Sequence, residues 1–249
     1  MLVRGSARRD RRLDPKRFPI HLVICCLYSF YSLPSSQYGE KAFLRQGDPE
    51  SDFVHLMGFT NRRTIRYATR VGNSELKTPR LLLRSWQESD RAPFVAMNAD
   101  PLVMRYFLST LSAEETDRML ENNASNFERH GFGLWAVALA ETDEFAGYIG
   151  LNVPSFEAPF TPCVEIGWRL AAHFWNQGLA TEGAAAVLRF AHLTLGIGEV
   201  VSFTSVHNLP SRRVMEKIGM TRDIEGDFDH PRIPKEHPLC RHVLYRARR

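Results

Sequence analysis

Residues 76–249 predict an α/β domain of interleaved strands and helices, preceded over residues 1–75 by a basic, weakly ordered extension. Two observations carry that prediction. Between Cys163 and Gly219 the chain runs without a break through an apolar stretch, a glycine turn, an alanine-rich helix, a β-branched stretch and an asparagine-led helix. Earlier, two apolar runs flank Thr142-Asp143-Glu144, the pattern of a β-hairpin.

The elements follow in order. Residues 80–86 read as the first strand and 90–97 as a short helix. A longer helix is expected over 113–129, because Ser112 offers an N-cap and Glu115, three residues on, completes a capping box. The hairpin strands occupy 134–140 and 145–153. The run CVEIGWRL at 163–170 is apolar enough for a buried strand. WNQGLAT then turns the chain into the helix LATEGAAAVLRF, and EVVSFTSV at 199–206 reads as another strand. The next helix starts at Asn208, a favourable N-cap, carries Pro210 in its first turn and stops at Gly219. Final strands are expected at 220–224 and 242–246.

Charge is unevenly distributed. Residues 1–75 carry 13 Lys and Arg against 7 Asp and Glu, whereas residues 76–249 carry 19 against 21. The basic balance therefore belongs to the extension, and no nucleic-acid partner is expected for the domain. Within the extension, IHLVICCLYSFYSL at 20–33 is too short for a usual membrane span. It follows arginines as a signal peptide would, but no A-x-A-like site follows it. The extension is read as poorly ordered, with Met57 a plausible internal start, in preference to a membrane anchor. The four cysteines, Cys25, Cys26, Cys163 and Cys240, form no C-x-x-C pair, which fits a cytoplasmic protein without disulfides.

The turn at Gly178 has a chemical reading of its own. Gly178 and Ala180 leave room for a ligand against the backbone, and the helix behind them directs N–H groups and the positive end of its dipole at the turn. A diphosphate fits such a site, although a plain strand-to-helix connection has the same sequence.

Taken with its flanking strands and the Asn208 helix, the turn resembles the acetyl-CoA-binding core of the GNAT N-acetyltransferase superfamily. Gly178-Leu179-Ala180 matches the end of the superfamily's loop pattern. Trp175 stands where Arg or Gln is usual, as in the branch that includes the ribosomal-protein alanine acetyltransferases. The closing run HPLCRHVLYR is similar to the end of proteins in that branch.

The resemblance implies a mixed, mostly antiparallel sheet flanked by helices, and acetyl transfer from acetyl-CoA to a primary amine, either a peptide N-terminus or a small amine. Backbone groups of Trp168, Arg169 and Leu170 would hold the thioester carbonyl and pantetheine. The diphosphate would lie on N–H groups of Asn176, Gln177, Gly178, Leu179, Ala180 and Thr181. Asn208 and Ser211 would bond the pantetheine arm, and Glu165 would act as the base through water.

Many family members place a tyrosine seven residues after the asparagine to protonate the leaving thiolate; here Met215 occupies that position. The departure leaves a non-catalytic acetyl-CoA-binding sensor as the alternative. Asp227, Asp229 and Glu157 are the acids expected near the acceptor. His230, His237, Cys240 and His242 fit no zinc spacing, so no metal is expected. Oligomeric state is left open.

Overall fold

The computed structural model describes residues 75–249. Eight strands form one sheet: β1 (Leu76–Lys77), β2 (Leu81–Arg84), β3 (Leu134–Leu139), β4 (Phe145–Asn152), β5 (Glu165–Leu170), β6 (Glu199–Ser205), β7 (Thr221–Asp229) and β8 (Arg241–Arg248). Their order across the sheet is β1-β2-β3-β4-β5-β6-β8-β7. Every neighbouring pair is antiparallel except β5 with β6. Four helices complete the domain: α1 (Glu88–Ala99), α2 (Ala113–His130), α3 (Leu179–Leu193) and α4 (Leu209–Lys217).

The helices cover both faces of the sheet. On one, Phe94 and Met97 of α1 and Met119 of α2 pack over Ala136 and Tyr148. On the other, α3 lays Leu179, Ala184 and Val187 against Leu81, Trp135, Val137 and Ile149. The alternation within β3 follows from the pleat: Trp135 and Val137 face α3 while Ala136 faces α1. A bidentate ion pair ties β2 to α1, with Arg84 Nη1 and Nη2 at 2.6 and 3.0 Å from the Asp90 carboxylate. Both residues are buried, the setting in which two-point Arg–carboxylate geometry matters most.

Local signals place most element ends. Ser112 Oγ accepts from Glu115 N–H and the Glu115 carboxylate accepts from Ser112 N–H, closing the expected capping box. Asn208 Oδ1 accepts from Ser211 N–H as the N-cap of α4. Differences arise at the sheet edges. The expected strand at 80–86 is shorter, and the two-residue β1 pairs beside it. β7 extends to Asp229, past the expected end at 224, with a register shift against β8 between Asp223 and Phe228. As the edge strand it carries polar residues that break the apolar pattern without breaking the pairing. The 20–33 run and Met57 lie outside the described residues. Among the described residues no helix is long and apolar enough to cross a membrane.

Candidate active site

The site begins where two parallel strands part. β5 and β6 share one register pair, Glu165 with Val201. Near it Val201 N–H donates to Val164 O at 2.8 Å and Ser202 Oγ donates to Ile166 O at 2.9 Å. Even-numbered residues of β5 therefore turn their backbone groups toward β6, and odd-numbered ones toward β4, as Ala171 N–H to Ala146 O confirms. Beyond Ile166 the strands diverge, so Trp168 presents its N–H and C=O to the gap. Leu170 does the same, and its carbonyl accepts Trp175 Nε1–H at 2.8 Å. Arg169 differs: its backbone belongs to the β4 ladder opposite Tyr148.

At the end of the gap the chain turns into α3. Asn176 and Gly178 hold positive φ of 60° and 80°. Glycine suits the second position because a Cβ is disfavoured there. Gly178 is also the N-cap and has no side chain with which to cap α3. The first-turn N–H groups of α3 thus face the gap with the helix dipole behind them, an anion site by construction.

The acidic residue of that first turn, Glu182, is drawn away from it. Its Oε1 accepts from Thr78 Oγ1 (2.6 Å) and Arg80 N–H (2.9 Å), and its Oε2 from Arg80 Nε (2.7 Å). Burial opposes ionisation of Glu182, but these hydrogen bonds hold its carboxyl below the usual carboxylate range. Arg80 Nη1 also donates to Gln177 O at 2.9 Å, fastening the turn from outside.

A cleft of about 460 Å³ occupies the gap, within the range of ligand pockets. Trp168, Arg169, Leu170, Asn176, Gly178, Leu179, Ala180, Thr181, Asn208 and Ser211 all border it. Asn208 Nδ2 donates to Thr204 Oγ1 at 2.9 Å, leaving one amide hydrogen and one Oδ1 lone pair for a ligand. Gln177 is not on the cleft wall; its side chain donates to His173 O. Glu165 is buried (1% exposed) and borders a void of about 10 Å³ shared with Trp168, Ser202, Ser211 and Met215. That is close to the smallest volume that takes one water molecule.

Residues 80–221 match the acetyltransferase (GNAT) domain family. The chain belongs to the GNAT acetyltransferase family. It is 34% identical over 154 residues to the FsC-acetyl coenzyme A-N(2)-transacetylase of Aspergillus fumigatus, covering 59% of this chain and 64% of that one. Among solved structures, a GNAT-family acetyltransferase from Bacillus anthracis aligns at 26% identity with a TM-score of 0.58, over 70% of this chain and 98% of the other. RimL, a ribosomal L7/L12 α-N-protein acetyltransferase solved with coenzyme A, shares the fold at 20% identity and a TM-score of 0.56, over 70% and 98% of the two chains.

The GNAT domain is an acyltransferase of the acetyl-CoA-using fold, and several cleft residues lay beyond sequence reading. Val103, Arg105, Tyr106 and Phe107, from the loop between α1 and α2, form one wall; no periodic pattern marks them. Arg213 and Lys217 on α4 also border the cleft. Their spacing of four residues, one helical turn, was a readable sign of a basic stripe.

The acids expected near the acceptor have partners or exposure of their own. Asp227 accepts from Arg222 and from Leu244 N–H, Asp229 pairs with Arg241 at 3.3 Å, and Glu157 is exposed. None borders the cleft. Asp227 and Asp229 instead hold the irregular β7–β8 pairing together. Among the described residues no three His, Cys, Asp or Glu side chains converge as metal ligands.

Proposed function

We propose that this GNAT domain moves an acetyl group from acetyl-CoA to a primary amine, on a small molecule or at a peptide N-terminus. The observation that carries the reading is the parting of β5 from β6 with the uncapped N-terminus of α3 at the end of the gap. An extended, anion-tipped thioester fits this shape. Its diphosphate rests on the N–H groups of residues 176–181, and its pantetheine arm takes the place of the missing strand pairing, with Asn208 and Ser211 on the opposite wall. Gln177 contributes through its backbone alone. Arg213 and Lys217 add positive charge along the same wall.

The chemistry then follows from the backbone. The amine nitrogen attacks the thioester carbonyl carbon, the carbon–sulfur bond breaks, and the negative charge passes from the carbonyl oxygen to the departing thiolate. Trp168 N–H, fixed by β5 and without a strand partner, is the donor for that oxyanion, a preorganised term of large effect. Glu165 removes the amine proton through one water in the void it borders. Met215 cannot donate to the thiolate, which takes its proton from water or from Ser211 beside it.

The test is free-thiol release from acetyl-CoA in the presence of amines and peptides with free N-termini. Acetylated product in step with thiol is the expected result. Tight acetyl-CoA binding with no thiol release from any acceptor would support a sensor instead.

A further inference from the structure

Two arginines are buried in this domain to the same degree, and they are treated differently. Arg84 is 4% exposed and closes both ends of its fork on the Asp90 carboxylate. Arg169 is 5% exposed, and its side chain's one hydrogen-bond partner among the described residues is neutral: Nη1 donates to Asn98 Oδ1 at 2.5 Å. Its Nε and Nη2 are buried and have no hydrogen-bond partner among the described residues. Aromatic faces do the rest, with the Phe107 ring centre 4.2 Å and the Tyr148 ring centre 5.3 Å from Cζ. A buried guanidinium without an anion is costly. The Nε–H and Nη2–H edge left over is the side-on fork that matches a carboxylate at two points.

We propose that Arg169 is the counter-ion for a carboxylate carried by the acceptor amine. The direction of the side chain separates this anion from the diphosphate. Trp168 and Leu170 pack with the core beneath α3, whereas Arg169 lies on the opposite face, against Asn98 of α1 and Tyr148 of β4. An anion on its fork is therefore on the α1–α2 side of the cleft, away from the N-terminus of α3. Phe107 borders the cleft and stacks on the guanidinium, so the acceptor reaches the fork by turning that ring aside. Asn98 is itself held in place: its Nδ2 donates to Thr116 Oγ1 at 3.2 Å, and its backbone carbonyl accepts from Leu111 N–H.

The inference rests on the proposed acetyl transfer, so its test has one arm that needs no turnover. In that arm, thermal unfolding of the CoA-saturated full chain is followed with N-acetyl-β-alanine or N-acetyl-β-alaninamide, and with an acetylated peptide whose second residue is either acidic or the corresponding amide. The carboxylates are expected to raise the midpoint by about 2 °C or more and the amides to leave it unchanged. Arg169→Gln and Arg169→Lys, the second keeping the charge without the fork, both remove the difference.

In the kinetic arm, wild type prefers β-alanine over β-alaninamide, or a peptide with an acidic second residue over its amide analogue, by about tenfold or more in kcat/KM. The arginine variants bring that ratio to within about twofold, with acetyl-CoA affinity unchanged. Whether the small pair or the peptide pair discriminates tells which source supplies the carboxylate. Equal handling of acid and amide by wild type in the thermal arm overturns the proposal, as does a preference that survives both substitutions. Should neither variant fold, the wild-type acid–amide pairs decide alone. Absence of acetylation with carboxylate-specific stabilisation intact overturns the transfer reaction and keeps the carboxylate site.

Discussion

Glu165 and Met215 define what this GNAT site has to work with. Glu165 enters β5 at the one point where β5 and β6 still pair, so its position is fixed by the sheet on both sides. A carboxylate that acts only as a proton acceptor through water is lost to catalysis when replaced by its amide, while the packing is kept. Glu165→Gln is therefore expected to lower kcat by about 10² or more without changing acetyl-CoA affinity or the unfolding midpoint. Single-turnover acetylation with parallel calorimetry and thermal unfolding checks it. A lowered midpoint with kcat intact would make Glu165 a structural carboxylate. Arg169 illustrates the limit of reading residues one at a time. In the sequence it is one of three backbone positions on a strand; its side chain becomes informative only with Asp90 opposite Arg84 and, among the described residues, no acid bonded to Arg169.

Elements were legible where their signals are local. The Ser112–Glu115 box, the Asn208 cap and the turn at residues 142–144 each involve contacts within three or four residues, and each appears where expected. The short β1, the tail of β7 and the 100–112 loop wall depend on partners 20 or more residues away in sequence, or on edge pairing, and no periodicity announces them. The pairing of β4 with β5 is of this second kind and bears directly on the site. Gly147 sits in β4 opposite Leu170 with φ of 143°, and a Cβ there would lie 2.1 Å from the Arg169 carbonyl oxygen. Only glycine allows the two backbones this close. Gly147→Ala must push β5 aside or twist β4, at a cost of roughly 2 kcal/mol or more. Because Trp168 and Leu170 move with β5, acetyl-CoA affinity should fall in the same variant. Urea unfolding and calorimetry on one preparation test the pair of effects, and a stable Gly147→Ala with unchanged affinity would show that β5 is not held at that distance.

On the scale of the whole molecule, the sheet separates two halves of the proposed reaction. On the proposed reading, the thioester's anionic end would be served from the α3 side and the acceptor from the α1–α2 side. The far end of the sheet, β6 to β8, is closed by an aromatic cluster of Phe156, Phe160, Phe203 and Phe228 in which His230 and His242 are embedded. Both histidines are buried. Burial pushes His230 down to about 2, with the nearby His242 acting in the same direction, and pushes His242 down to about 4. The unfolded chain takes up these protons near pH 6.5 and the folded chain does not, so the unfolded state binds more protons below that pH. Stability is then full above about pH 6.5 and falls as the pH drops, toward 4 for His242 and toward 2 for His230, at up to about 1.4 kcal/mol per pH unit for each histidine. Carboxylates held low by their partners, such as Glu182 and Glu199, contribute only at lower pH, near and below their ordinary range. The interval from pH 6.5 to 5 therefore isolates the histidines: His230, His242 and, at the end of α2, His130, which burial and the nearby Arg129 also push down. Urea midpoints should decline across it in the wild type, and His230→Phe, which keeps a ring beside Phe156 and Phe228 without a titrating group, should flatten the slope by roughly a third to a half. A midpoint that holds constant from pH 7.5 to 5 would mean that the β6–β8 end admits water and lets both histidines charge in the folded state.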